Sequence, residues 1–274
     1  MSLAAGQVVL GQYVLEEVIA VGGMGSVWSA VGADGRQVAV KLIDAAAPDV
    51  NSATRLAREA ALLSRVHHPN VVAMLAHGVV GLTPVIVLEL VGGRPLDALL
   101  RQRGALSAGL AVDWICQILA GLAALHAADI VHRDVKPANV LVTVDDDFVL
   151  KLIDLGAGRS LRAGTEKLTR AGRTIGTIEY MAPEQMADSS VDARADIYAA
   201  GMVLYQMLSG HLPMPGVRGA MARMKTPVAP PVLPPDLPPL SPSLSTVLLS
   251  MLAIDPAHRP QTALAASAAL ARTT

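Results

Sequence analysis

His132-Arg133-Asp134-Val135-Lys136-Pro137-Ala138-Asn139 places a carboxylate, an ammonium and an amide oxygen within six residues, Asp134 to Asn139. A carboxylate in such a loop can take the proton of an attacking hydroxyl, while the nearby amine neutralises charge on the group being transferred. Asn139, and a second carboxylate in Asp154-Leu155-Gly156, offer the hard oxygen ligands that Mg²⁺ prefers. The chemistry this set suits is transfer of the terminal phosphoryl group of ATP to a hydroxyl. A polar turn with unrelated acids could supply any one of these residues. It does not explain all of them in this order.

Two upstream features could hold a triphosphate. Gly22-Gly23-Met24-Gly25-Ser26-Val27 lies between two strand-like runs, where glycine lets backbone N–H groups approach phosphate oxygens without a Cβ in the way. Glycines also make ordinary hairpins, so this loop carries weight only with its neighbours. Registered on Val27, a Gly-x-Gly-x-x-Gly-x-Val pattern puts its first glycine at Ala20, a departure that leaves Gly22 and Gly25 in place. Val38-Ala39-Val40-Lys41 follows. Behind a glycine loop, Lys41 is a candidate for the α- and β-phosphates, with Glu59 on the next helical segment as the anion that holds it.

These residues need rigid carriers. Tyr13 to Val21, Val27 to Val31 and Arg36 to Leu42 read as strands, as do Val71 to Ala76 and Val85 to Leu90. Asn51 to Val66 has helical spacing and is stopped at His68-Pro69-Asn70. Ser107 can cap a long helix that runs through His126. Short strands at Val140 to Val142 and Leu150 to Ile153 flank the chemical loop. Asp196 to Leu208, Leu244 to Leu252 and Thr262 to Ala271 read as helices, and the proline-dense Pro227 to Pro242 as a surface loop. The pattern is β-rich and then helical, with its boundary near Leu90 to Gly93.

Composition narrows the class. A chain of 274 residues suffices for one large domain or two lobes with proper cores. An apolar fraction of 52% excludes a disordered chain, and a net charge of -1 gives no basic field for nucleic acid. Cys116 is the only cysteine, which excludes an intramolecular disulfide and suits a reducing compartment. Met1 to Gln12 lacks a signal-peptide pattern. Ala108 to Leu125 is the most membrane-like stretch, but Asp113 and Gln117 interrupt it, so a buried helix is expected and not a membrane span.

The chain resembles a Hanks-type (eukaryotic-like) protein kinase of the bacterial serine/threonine branch, from about Tyr13 to Ala271. The resemblance implies an α+β, two-lobed protein-kinase-like fold. Residues 13–90 would form a small β-rich N-lobe with one regulatory helix, and 91–271 a larger, mainly helical C-lobe. Residues 1–12 would be an N-terminal extension and 272–274 a tail. Asp134 becomes the catalytic base, Lys136 the phosphoryl-neutralising cation, and Lys41 with Glu59 the α/β-phosphate clamp. Asn139 and Asp154 become the Mg²⁺ ligands, with Mn²⁺ as an alternative ion. ATP would meet the backbone of Gly22, Gly23 and Gly25, a roof of Val27 and Ala39, a gatekeeper Leu88, a hinge from Glu89 to Val91, and a floor at Leu141. Core packing explains the apolar members equally well.

Further residues match the family. Ala182-Pro183-Glu184 and Arg259 imply a Glu184–Arg259 brace, and Asp196 the anchor of the catalytic loop. Leu155 stands where the family usually has phenylalanine, as a tolerated apolar residue. Lys136 and Gly176-Thr177 favour Ser/Thr over Tyr substrates, with Thr177 bridging Asp134 and Lys136. Arg133 before the catalytic Asp implies a switch by activation-loop phosphorylation. Thr169 is the first candidate, eight residues before Thr177, and Thr174 the second. The expected partners are protein substrates and a homodimer through the N-lobe, with no nucleic acid. The expected location is the cytoplasm, with membrane association if the chain is a fragment of a longer receptor kinase. Two other readings compete. One is a pseudokinase or scaffold that binds ATP without efficient transfer, favoured only by Ala20 and Leu155. The other is a small-molecule phosphotransferase, whose relatives lack the full Ala-Pro-Glu region.

Overall fold

Successive side chains of a strand point to opposite faces, so a run with Val38, Val40 and Leu42 on one face presents Ala39, Lys41 and Ile43 on the other. The computed structural model describes residues 3–22, 25–43, 60, 63–143, 148–154, 178–187, 190–230, 232–236 and 239–273. By internal packing the chain divides into two units. The smaller holds the described residues up to His68 together with Val72–Gly92. The larger holds Pro69–Val71 and the described residues from Gly93 onward, apart from the undescribed stretch after Asp154.

In the smaller unit, β1 (Val8–Val9), β2 (Tyr13–Gly22), β3 (Gly25–Gly32), β4 (Gln37–Ile43), β5 (Met74–Val80) and β6 (Thr83–Glu89) form one antiparallel sheet. Its strand order is β1-β2-β3-β4-β6-β5. One face is the core: Val9, Leu15, Ala30, Val38, Val40, Leu42, Val85 and Val87 pack together. Val9 belongs to the stretch that sequence reading leaves as an extension, yet it is fully buried because β1 pairs with β2.

One strand is displaced from its expected place. The apolar run Val71 to Ala76 reads as a strand, but β5 begins at Met74 and continues to Val80. Val71 instead bridges to Leu152 in the larger unit. The Asn70 side chain donates to the Gln117 side chain at 3.0 Å and to the Leu150 carbonyl at 2.8 Å, which draws this segment away from the sheet. Gly78 lies inside β5, paired with Val85, with the Leu10 side chain packed over the place of its missing Cβ.

In the larger unit, β7 (Gly93–Pro95), β8 (Val140–Thr143) and β9 (Leu150–Leu152) form a small sheet in that order. The helices are α1 (Leu96–Arg103), α2 (Ala108–Ala127), α3 (Pro183–Met186), α4 (Arg194–Ser209), α5 (Gly216–Arg223), α6 (Pro242–Met251) and α7 (Ala263–Ala271). Ser107 caps α2 by accepting from the Leu110 N–H at 3.4 Å, as its sequence suggests. By length and composition α2 could cross a membrane, but half of it is buried inside the structure. It packs against α4, α7 and β9, and Leu119, Leu122 and Leu125 are fully buried.

Close approach makes Gly121 necessary in α2. A Cβ there would lie 2.6 Å from the Asn70 carbonyl oxygen and 3.0 Å from Leu152 Cδ1. Alanine should gain about 1 kcal/mol of helix propensity at this site. Overpacking against a backbone oxygen, about 1–3 kcal/mol, should outweigh that gain, so Gly121→Ala is expected to lower the unfolding free energy by up to about 2 kcal/mol net. Urea denaturation checks this; an unchanged or raised midpoint would contradict the packing.

Candidate active site

In the larger unit, the loop from His132 to Asn139 has little regular structure and depends on side chains from its surroundings. Asp196, in the first turn of α4 and 1% exposed, supplies the main anchor. Its Oδ1 accepts from the Arg133 N–H at 2.7 Å, and its Oδ2 from the His132 N–H at 2.8 Å. Oδ2 also lies 2.8 Å from His126 Nε2, at the end of α2. Between these bonds Arg133 adopts a left-handed backbone, with φ 64°. Non-glycine residues resist that conformation by about 1–2 kcal/mol.

Asp134 then enters a buried position, and its carboxylate Oδ2 lies 3.1 Å from Lys136 Nζ. Its N–H donates to His132 Nδ1 at 3.3 Å. That bond leaves the His132 ring proton on Nε2, which is buried without a hydrogen-bond partner among the described residues. The 3₁₀ turn Pro137–Asn139 closes with the Asn139 N–H donating to the Lys136 carbonyl at 2.9 Å. The Asn139 amide Nδ2 donates to the Asp134 carbonyl at 2.8 Å. Its own carbonyl accepts from the Ile153 N–H at 2.9 Å, which ties it to the residue before Asp154. Asp154 is half-buried and left-handed, with φ 58°.

The donor chemistry here fits a divalent cation held jointly with a substrate. With Nδ2 engaged on the Asp134 carbonyl, Asn139 would offer its amide oxygen to such a cation, and Asp154 would offer a carboxylate. Among the described residues no group of three or more His, Cys, Asp or Glu side chains forms an all-protein metal site. Mg²⁺ is commonly bound by one or two such groups together with substrate phosphates.

A second cluster braces this unit. Arg259 Nη1 donates to Glu184 Oε1 at 2.6 Å and Nη2 to Oε2 at 2.8 Å. Its remaining N–H groups reach the carbonyls of Ala253, Arg194 and Ile254 at 2.8–3.0 Å, and its guanidinium lies 4.9 Å from the Tyr198 ring centroid. All five donors of this buried arginine are therefore used. Burial pushes the Tyr198 hydroxyl above its ordinary pKa.

In the smaller unit, strand register collects the expected nucleotide residues on the sheet face opposite the core. Val27 pairs with Lys41, Ala39 with Leu88, and Gly22 with Gly25 across the glycine turn. Gly25 has φ 129°, open to glycine and rarely to other residues. Ala20 pairs with Val27 in the ladder, directly after a register shift between Val18 and Ala20. The Glu89 carboxylate accepts from the Ala73 N–H at 2.9 Å, so it serves strand pairing, and half-buried Val91 follows β6. Leu141 lies in β8 of the larger unit, half-buried and paired with Lys151. Gly23, Glu59, Leu155, Thr169, Thr174 and Thr177 lie outside the described residues, and with them the Lys41–Glu59 pairing and the activation-loop sites.

Sequence reading missed three contributors. His126 reaches Asp196, and Gln185 links α3 to the Arg133 carbonyl in the loop from His132 to Asn139. Fully buried Arg223 in α5 donates to the carbonyls of Pro213 and Met214 at 2.8 Å, and to that of Glu179. No local pattern marks their long-range partners. Cys116 is half-buried, and burial raises its thiol pKa, in keeping with a packing role.

A protein kinase domain model matches residues 13–270. The chain belongs to the protein kinase domain family. Bacterial serine/threonine kinases are among its relatives. The kinase is 38% identical to PknL of Mycobacterium bovis over 207 residues, which cover 75% of this chain and 51% of PknL. It is 38% identical to PknA of Mycobacterium tuberculosis over 240 residues, covering 84% and 55% of the two chains. A probable serine/threonine-protein kinase of Corynebacterium efficiens, CE0033, is 38% identical over 215 residues, covering 76% and 32%. The chain spans about half the length of PknL and PknA. The kinase is thus a Hanks-type bacterial Ser/Thr kinase domain, with the β-rich and helical parts of that fold. Members of this family in general use ATP, a divalent cation and protein substrates.

Removing Arg259 takes both bidentate donors from the largely buried Glu184 carboxylate and leaves three backbone carbonyls without this partner. Arg259→Ala is therefore expected to lower the unfolding free energy by about 3–5 kcal/mol, read as a fall in the denaturation midpoint. A loss within the error of the measurement would reduce the pair to a surface contact.

Proposed function

We propose that this chain is an active ATP-dependent serine/threonine protein kinase that uses Mg²⁺. The observation that carries the reading is the Asp134–Lys136 pair at 3.1 Å, on a loop held by Asp196 and Asn139. The Asp134 carboxylate orients the substrate hydroxyl and accepts its proton as the new O–P bond forms. The bond from the γ-phosphorus to the bridging oxygen breaks, and ADP leaves with that electron pair. Lys136 neutralises charge on the phosphoryl oxygens. Asn139 and Asp154 would hold the cation, which offsets phosphate charge when bound.

In the smaller unit, the backbone of Gly22, Gly23 and Gly25 and the Lys41 ammonium, paired with Glu59, serve the phosphates. Val27, Ala39, Leu88 and the Glu89 to Val91 backbone serve the adenine. The supporting observation is that Val27, Ala39, Lys41 and Leu88 share one sheet face. The substrates are proteins with Ser or Thr hydroxyls, and the chain works in the cytoplasm.

Activation proceeds by trans-autophosphorylation, with Thr169 first and Thr174 second. The phosphate's charge and acceptor oxygens would recruit exposed Arg133 and order the loop. A homodimer through the smaller unit brings two copies together. Val79 (55% exposed) and Leu82 (75% exposed), at the turn between β5 and β6, support such a contact.

Incubation with Mg-ATP, read by intact mass, tests the reading. The parent should gain phosphate, and Asp134→Asn should slow the gain by about 10²–10⁴-fold. If neither gains phosphate, even with Mn²⁺ and a generic protein substrate, a scaffold that binds ATP becomes the better account. Phosphopeptide mapping of the parent should find Thr169 or Thr174; modification at neither would remove the proposed switch. The initial rate per molecule should rise with protein concentration, and a concentration-independent rate would rule out the trans reaction.

A further inference from the structure

Gln185 is the third residue of α3, next to Glu184 of the brace. Its two amide atoms point to different segments. Oε1 accepts from the Ala182 N–H at 3.0 Å, closing the start of α3. Nε2 donates to the Arg133 carbonyl at 3.1 Å, 52 residues earlier in the chain. That carbonyl belongs to the peptide that joins Arg133 to Asp134. The N–H of the same peptide donates to His132 Nδ1 at 3.3 Å. The preceding peptide is held by Asp196, which accepts the Arg133 N–H at 2.7 Å. Arg133, left-handed with φ 64°, is thus held from both sides by side chains of distant elements.

We infer that Gln185 is a positioning residue for phosphoryl transfer: its Nε2 fixes the Arg133–Asp134 peptide, and so the direction in which the Asp134 carboxylate is presented. The inference rests on the kinase reading for its effect on rate. A non-glycine residue in the left-handed region lies against steric resistance, and the bonds on its two peptides keep it there. Glu184 and Gln185, adjacent in sequence, then serve different ends. Glu184 braces Arg259, while Gln185 carries the placement of the Ala182-Pro183-Glu184 segment onto the catalytic loop. The task needs an acceptor and a donor at the tip of one side chain, which glutamine has. An ionised glutamate keeps the acceptor for Ala182 but cannot donate to Arg133. Methionine keeps the approximate length and offers neither strong group.

The test uses the full chain with Mg-ATP and dephosphorylated casein as acceptor. It compares the parent, Gln185→Glu, Gln185→Met and Asp134→Asn. Gln185→Glu should keep the parental melting temperature and KM for ATP, while kcat falls roughly tenfold, the size of one lost hydrogen bond. As the pH falls toward about 5 the new carboxyl protonates and regains a donor, so the ratio of its kcat to the parent's should climb. Gln185→Met should lose kcat with no such recovery. Parental kcat in Gln185→Glu would overturn the inference, as would a loss that follows a lowered melting temperature and ignores pH. Amide hydrogen exchange across residues 132–135 gives a readout independent of catalysis, and should quicken in Gln185→Glu and Gln185→Met. If the parent transfers no phosphate, the kinase reading fails, and exchange still decides the clamp: unchanged exchange would sink it.

Discussion

The carboxylate of Asp196 is the interaction on which the active loop depends. It accepts two consecutive backbone N–H groups, from His132 and Arg133, and meets His126 as well. A loop between a helix and a strand has no ladder to satisfy its backbone, and a buried N–H without a partner is costly. Asp196 meets that requirement and fixes direction at the same time. With both amides pointed at one carboxylate, the chain must turn through a left-handed residue before it reaches Asp134. The orientation of Asp134 follows from a side chain more than sixty residues away in sequence.

The first turn of α4 concentrates this control. Arg194 offers its carbonyl to Arg259, Asp196 holds the loop that begins at His132, and the Tyr198 ring receives the Arg259 guanidinium. A helix that organises two clusters must itself be immobile. From Ala195 to Tyr205 every α4 residue is buried, so it behaves as a core element and not as an amphipathic surface helix. Buried ion pairs seldom add net stability over apolar packing, because desolvation offsets their attraction. Their worth here is geometric. Arg259 can satisfy all five donors in one arrangement only, and that arrangement sets Glu184 beside the segment that carries Gln185.

The readable parts of the sequence were those governed by local rules. Ser107 ahead of an apolar run marks α2, and the alternation in β4 gives both the core face and the Lys41 face. The loop from Asp134 to Asn139 is recognisable because its groups act within six residues. What escaped was set by distant partners. The run from Val71 looks like a strand, but the Asn70 side chain binds it to Gln117 and Leu150 in the larger unit. His77-Gly78 lies beyond that run, yet it continues β5 because it pairs with Ile86 and Val85 of β6. α5 was missed because Gly216 and Gly219 weaken any helical signal, and a buried Arg223 bonded to backbone carbonyls has no local signature.

Ala20 shows how a departure from a pattern is judged by its physical setting. At a position where the chain needs a left-handed turn or a close backbone approach, alanine in place of glycine is strained. Ala20 meets neither condition: it pairs with Val27 in the ladder between β2 and β3, two residues before the turn. The unusual conformation falls at Gly25 instead, and there glycine is present. The larger unit makes the opposite choice. Its left-handed positions at Arg133 and Asp154 carry side chains despite the steric cost, the first directly before the Asp134 carboxylate and the second bearing a carboxylate of its own. Glycine would remove the strain at Asp154 together with the carboxylate. At Arg133 the strained backbone is held by the bonds that Asp196 and Gln185 make to the peptides on either side of it.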